Sequence, residues 1–243
     1  MNLIIDVGNT FVKFAVFNEN SILEKSRFEM PDFPTEFEAV CKNYRSLENC
    51  IVSLVGNFDS KYLEQISDKL NVVFLNSSTP MPFKNLYRTP TTLGVDRLAL
   101  VSASAAQYPE KNVLIIDAGT CITYDFINDQ NEYLGGAISP GIQMRYIGLH
   151  NLTANLPLLD IKMPEQLIGD SSEEAIHSGV IFGVISEIDG AIEAYRLKYA
   201  DLTVILTGGN ANFLSKQLKS SIFANSNFLL EGLNYILQFN LNA

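Results

Sequence analysis

The sequence predicts an α/β protein built from two related halves. Three observations carry that prediction. First, Leu3-Ile4-Ile5-Asp6-Val7-Gly8-Asn9-Thr10 is echoed 111 residues later by Leu114-Ile115-Ile116-Asp117-Ala118-Gly119-Thr120-Cys121. Second, each echo opens as a short, continuously apolar run, the pattern of a strand buried on both faces. Third, stretches with helical spacing alternate with further short apolar runs, and 243 residues suffice for two domains of roughly 110–130 residues each.

Taken in order, the first half begins with a β-hairpin. The apolar run is followed by Asp, a small residue and Gly, and resumes at Phe14-Ala15-Val16-Phe17. Helical spacing is predicted over 35–48 and 60–70, with short strands over 51–55 and 72–75. A helix over 93–106 closes this half. Tyr108-Pro109-Glu110-Lys111-Asn112 marks the boundary, so the domains are expected over residues 1–108 and 109–243.

The second half repeats the hairpin, its apolar run resuming at 122–127. Ser139-Pro140-Gly141 predicts a turn leading into a helix over 142–150. Ser171 and Glu174 have the spacing of a capping box. Beyond them Ile181, Val184, Ile185, Ile188, Ile192 and Tyr195 form a helical stripe, read as core or as a subunit contact rather than a cofactor site. A buried strand over 202–206 ends in Thr207-Gly208-Gly209-Asn210.

Composition narrows the function. With 47% hydrophobic and 18% charged residues the chain builds a sizeable core and is too apolar for disorder. Its net charge of −10 argues against nucleic acid as a partner, because phosphates would be repelled. An anionic ligand must bind at a local exception to that field. The N-terminus lacks a basic n-region, so no secretory signal is expected. No stretch approaches the ~18–20 apolar residues needed to span a bilayer, so no membrane partner is expected. Cys41, Cys50 and Cys121 form no CxxC and read as reduced thiols of a cytoplasmic protein. His150 and His177 are too few and too far apart for a zinc site.

The two Asp-x-Gly turns point to phosphate chemistry. Backbone N–H groups converging in a glycine turn can hold phosphate oxygens without a net positive side chain. An Asp closing the preceding strand can hold a hydrated cation beside them. One such turn is weak evidence. Two in register, with Thr207-Gly208-Gly209 as a third turn near which a base or ribose could lie, point to a triphosphate held in a cleft between domains. No GxxxxGK[ST] is present and no GxGxxG follows either strand, so the P-loop class is not supported and a dinucleotide fold is disfavoured.

At this point the chain resembles a known family. The paired hairpins and the Thr-Gly-Gly turn are similar to the superfamily of sugar kinases, Hsp70 and actin. Within it, the resemblance is to the type III pantothenate kinases. It rests on Asp6-Val7-Gly8-Asn9-Thr10-Phe11-Val12-Lys13, Gly94-Val95-Asp96-Arg97 and Asp117-Ala118-Gly119-Thr120. Further along, Gly136-Ala137-Ile138-Ser139-Pro140-Gly141, Leu156-Pro157 and Thr207-Gly208-Gly209-Asn210 continue it in the family's order. The resemblance implies two duplicated ribonuclease H-like domains. It also implies ATP-dependent phosphorylation of pantothenate, Mg²⁺ with the nucleotide, a monovalent cation (K⁺ or NH₄⁺) and a homodimer.

Residue roles follow from it. Asp96 is expected to be the catalytic base; an isolated Asp-Arg at a helix start would read as a local ion pair, and the Gly94 context changes that reading. Arg97 suits the substrate carboxylate, for which a guanidinium fork is well shaped. Tyr87, Gly94 and Val95 are implied pantothenate contacts. Ser172 stands where the family has Thr, keeping the hydroxyl without the methyl. Asp6, Val7, Gly8, Asn9, Thr10, Phe11, Val12 and Lys13 form the first ATP-binding turn, and Thr120 belongs to the second. Asp117 is the implied site of the monovalent cation. Cys121 reads as packing rather than as a nucleophile. Two other functions are weighed: a phosphotransferase of the same superfamily acting on another small molecule, and a nucleotide-binding regulator without turnover.

Overall fold

The computed structural model describes residues 1–8, 11–56 and 58–242. They fall into two compact units. The first comprises Met1–Pro109, Asn131–Tyr133 and Asn227–Ala243; the second comprises Glu110–Gln130 and Leu134–Ser226. The expected contiguous division at 108/109 falls one residue before the break between the units and differs from them in two further places. The closing helix returns to the first unit, and a three-residue stretch after the second hairpin belongs there as well.

The first unit holds β1 (Asn2–Val7), β2 (Val12–Asn18), β3 (Ser21–Phe28), α1 (Phe33–Asn43), β4 (Asn49–Leu54), α2 (Ser60–Ser67), β5 (Asn71–Phe74), β6 (Lys84–Asn85) and α3 (Val95–Gln107). The sheet order is β3-β2-β1-β4-β5. β1 runs antiparallel to β2 and parallel to β4, so the predicted first hairpin is present. Alternation along β1 divides its side chains between two layers. Leu3, Ile5 and Val7 pack with Phe33, Phe37 and Val40 of α1 and Ile66 of α2. Ile4 faces the opposite layer with Ala99 of α3 and the closing helix, which explains the unbroken apolar run.

The second unit holds β7 (Val113–Ala118), β8 (Cys121–Ile127), β9 (Glu132–Pro140), α4 (Ile142–Asn151), α5 (Ser172–Lys198), β10 (Thr203–Thr207), α6 (Ala211–Leu214) and β11 (Phe223–Ala224); β9 begins in the first unit. The order β11-β10-β7-β8-β9 repeats the first sheet strand for strand. The closing helix is α7 (Phe228–Leu241). In the first unit Lys84 and Asn85 of β6 pair in parallel with Glu132 and Tyr133.

Strands β3 and β9 and helix α7 were not foreseen. β3 has a mostly exposed face, so it lacks an apolar run. α7 is apolar on most of its circumference, with Phe228, Leu230, Leu233, Ile236 and Leu237 buried, and it shows no single stripe.

Helix α5 carries two of the features read from sequence. By length and composition it is the one helix among the described residues that could cross a membrane, but its apolar stripe is buried in the core of the second unit. The Ile181–Tyr195 stripe, read as core or as a subunit contact, is core. Ile181, Val184, Ile188 and Ile192 are fully buried against β7, α4 and β10 within the second unit. The capping box is half formed: the Ser171 hydroxyl accepts from the Glu174 N–H, while the Glu174 carboxylate accepts from Lys162.

Candidate active site

The first candidate group is built by strand register around Asp6. Asp6 lies opposite Lys13 on β2 and beside Ser53 on β4. Paired residues on neighbouring strands share a face, and both neighbours reach the carboxylate. Lys13 Nζ stands 3.1 Å from Oδ2, and the Ser53 hydroxyl donates to Oδ1 at 3.2 Å. Asp6 is only 3% exposed, so the pair fixes a buried charge on both oxygens.

The adjoining turn is closed by the Gly8 N–H donating to the Phe11 carbonyl. Arg27 of β3 lies opposite Lys13, its guanidinium 3.7 Å from the centre of the Phe11 ring. Lys13 and Arg27 thus place two cationic groups beside the turn, one of them paired with Asp6. Val7 and Val12 are buried in the strands. Asn9 and Thr10 lie outside the described residues. Neither Ser53 nor Arg27 was anticipated, because register across strands is not written in local sequence.

The second group repeats the arrangement around Asp117 with different chemistry. Asp117 lies opposite Thr123 on β8 and beside Thr207 on β10. Where the first hairpin places an ammonium, the second places a hydroxyl. The Thr123 Oγ1 is buried and has no hydrogen-bond partner. Gly208, at φ +92, presses against this carboxylate: a Cβ there would stand 2.2 Å from Asp117 Oδ1. The turn is closed by Gly119 N–H to the Cys121 carbonyl, and the Gly141 N–H donates to the Thr120 carbonyl. A carboxylate flanked by two hydroxyls, one of them orphaned, is a donor set suited to a hard cation. Among the described residues no group of three or more His, Cys, Asp or Glu side chains forms a metal cage.

The third group opens α3. Gly94 is its N-cap residue, and the Asp96 carboxylate folds back over it. A Cβ at residue 94 would stand 2.4 Å from Asp96 Oδ1, so a larger residue there would push the carboxylate out of this position. Asp96 Oδ1 accepts from the Arg97 N–H at 2.9 Å. An acidic group in a helix's first turn also meets the positive end of the backbone dipole. Val95 and Asp96 are half-buried, and Arg97 is 5% exposed.

Arg97 is held by two tyrosines. Its Nη2 donates to Tyr133 Oη at 2.8 Å, and the guanidinium carbon lies 5.5 Å from the centre of the Tyr87 ring. The two rings stack at 6.0 Å with 16° between their planes. Tyr87 was singled out from sequence; Tyr133, fully buried on β9, was not, because no local pattern marks it. In the second unit Ser172 is exposed at the first position of α5. The structure thus gathers Asp6 with Lys13, Tyr87 with Arg97, and Asp117 beside the turn that carries Thr120.

Comparison with known proteins agrees with this geometry. A family profile described as type III pantothenate kinase matches residues 2–194. A type III pantothenate kinase from Christiangramia forsetii is 53% identical over 240 residues, covering 99% of both chains. Among solved structures, a Baf family protein from Campylobacter jejuni, described as a candidate transcriptional activator, aligns with TM-score 0.66 at 21% identity. It covers 99% of this chain and 100% of its own. A candidate 2-dehydro-3-deoxygalactonokinase from Sinorhizobium meliloti aligns with TM-score 0.61 at 13% identity over the whole of both chains. Each unit has the ribonuclease H-like topology of the sugar kinase, Hsp70 and actin fold. The chain belongs to the type III pantothenate kinase family.

Proposed function

We propose that this protein transfers the terminal phosphoryl group of ATP to the primary alcohol of pantothenate. The products are ADP and 4′-phosphopantothenate, in the first step of coenzyme A biosynthesis. The observation that carries the reading is the opening of α3, where Gly94 makes room for the Asp96 carboxylate and Arg97 is buried beside it. That pairing offers a proton acceptor next to a carboxylate clamp.

In this reading Arg97 pairs with the pantothenate carboxylate, while Tyr87 and Ser172 border the substrate. The Asp96 carboxylate accepts the proton of the hydroxyl as its oxygen bonds to the terminal phosphorus. The bond from that phosphorus to the bridging oxygen breaks, and ADP leaves. Little covalent work falls to the protein in phosphoryl transfer, so positioning and charge dominate. Lys13 and the turn amides from Gly8 onward hold the phosphates, with Asn9 and Thr10 assigned here from the motif. Thr120 serves from the second turn. Mg²⁺ carried on the phosphates would neutralise their charge, and Asp6 is the carboxylate that the first turn could offer it. The fit at Asp117, Thr123 and Thr207 supports a monovalent cation, K⁺ or NH₄⁺, which would screen phosphate charge there.

A coupled ADP-release assay tests the reading. ADP production is expected to require pantothenate and to be faster in K⁺ than in Na⁺. No pantothenate-dependent ADP in either salt would overturn it. Asp96→Asn is expected to lower kcat about 100- to 10,000-fold with the melting temperature retained; normal turnover would remove Asp96 from the role of base. The homodimer belongs to the same proposal, and a monodisperse 27.0 kDa species by light scattering would refute it. A cytoplasmic setting suits the three free cysteines.

A further inference from the structure

We propose that Tyr133 is a positioning residue that aims the Arg97 guanidinium at the carboxylate of an acidic substrate. This inference rests on the reading of Arg97 given above. It starts from how the Arg97 side chain is held. An arginine side chain carries roughly 2 kcal/mol of rotamer entropy, which a free fork would lose on gripping its ligand. Arg97 is instead fixed beforehand. Tyr133 Oη holds Nη2 at 2.8 Å, and the Tyr87 ring lies within cation–π reach of the guanidinium.

Tyr133 itself is locked by the backbone. It pairs with Asn85 across β6 and β9, and its carbonyl accepts from the Leu86 N–H at 3.0 Å. Phe83 meets its ring edge-on, 73° between planes. Asn85 also accepts from the Tyr87 N–H through Oδ1 at 2.9 Å. One short strand therefore places both tyrosines, and both act on the same guanidinium. The ring fills the core; the hydroxyl is the part that touches Arg97, and the two can be separated by mutation.

The experiment is steady-state kinetics on Tyr133→Phe, which keeps the ring and removes the hydroxyl. KM for pantothenate is expected to rise about 10-fold, the usual scale for losing a hydrogen bond to a charged group. The kcat and the KM for ATP are expected to stay within about 3-fold, well inside the 10-fold scale of that bond. The alcohol analogue of pantothenate, which lacks the carboxylate, serves as a competitive inhibitor whose Ki should not move. A loosened fold would weaken both ligands alike, and equal loss for both would overturn the inference.

A cycle with Arg97→Lys completes the test. Arg97→Lys alone should raise KM for pantothenate, and adding Tyr133→Phe to it should change nothing further. If Arg97→Lys leaves KM unchanged, the reading of Arg97 fails. If Arg97→Lys raises KM but Tyr133→Phe does not, positioning by Tyr133 fails and the reading of Arg97 stands. An equal effect of Tyr133→Phe in both backgrounds would show that the hydroxyl acts independently of Arg97, and would also overturn it.

Discussion

Gly208 lies so close to Asp117 that a Cβ on residue 208 would stand 2.2 Å from the carboxylate oxygen Oδ1. The backbone there has φ +92, a conformation that costs an L-residue roughly 1–2 kcal/mol. Both constraints act on the carboxylate proposed to hold the monovalent cation. Gly208→Ala must move either the turn or the Asp117 side chain. We expect activity to fall about 100-fold, the scale of a 1 Å misplacement in a reacting assembly, with potassium activation lost. Circular dichroism and thermal melting would check that the variant is folded. A folded variant with normal potassium activation would break the link between this turn and Asp117.

The contrast between the hairpins gives a second prediction. Lys13 answers Asp6 directly at 3.1 Å, whereas the equivalent strand position beside Asp117 is Thr123. The Lys13 side chain is 44% exposed, so it can reach a phosphate without being freed from a core. Lys13→Met should raise KM for ATP about 10-fold and leave KM for pantothenate unchanged. Thr123→Val should leave ATP binding nearly intact and weaken potassium activation instead. Potassium titrations of the two variants, read as ADP release, would separate these effects. Equal loss of potassium response in both would contradict the division of roles.

These assignments also mark what sequence can and cannot show. Both hairpins, the helix carrying Asp96 and the Ser171 cap were legible, because each is encoded in adjacent residues or in a short period. The partners of the site residues were not. Ser53 and Thr207 stand beside Asp6 and Asp117 only through parallel strand register, and register is set by long-range pairing. Tyr133 reaches Arg97 across 36 positions of sequence for the same reason. α7 was illegible because a helix buried on most sides carries no stripe. Its return to the first unit also lies beyond any contiguous division of the chain.

A third prediction concerns acid stability in the second unit. Glu187 of α5 accepts from the Tyr124 hydroxyl and from Arg145, which also holds the Ser139 hydroxyl and the Pro140 carbonyl. Burial pushes the Glu187 carboxyl up, but hydrogen bonds from Arg145, Tyr124 and Ser139 and the Arg145 charge outweigh it and hold the group below its usual range. A carboxyl depressed in the folded state adds stability that is fully present above its unfolded value of about 4.3. That stability is lost as pH falls through the lower folded value. Glu187→Gln should therefore melt about 2–4 °C below the parent near neutral pH, with the gap closing under acid. Melting curves from neutral to strongly acidic buffer would test this. A gap that widened on acidification would contradict the sign.

The last prediction tests how α7 supports the helix that carries Asp96. Gly232 of α7 meets α3 so closely that a Cβ would stand 1.9 Å from the Ala99 carbonyl oxygen and 3.2 Å from the Ala103 Cβ. Backbone cannot yield as a flexible side-chain tip does, so Gly232→Ala must push the helices apart. Overpacking of this kind costs about 1–3 kcal/mol, or about 2–4 °C of melting temperature for each kcal/mol in a chain near this size. Because Asp96 and Arg97 lie in the first turn of α3, kcat and KM for pantothenate should worsen together. Gly190 of α5 is the control: it is helical and exposed, and a methyl group added there would meet nothing within 4 Å. There the same substitution should stabilise by about 0.5–1 kcal/mol through its effect on helix propensity and leave kinetics alone. If Gly232→Ala is tolerated as well as Gly190→Ala, close contact between α7 and α3 does not hold Asp96 in place.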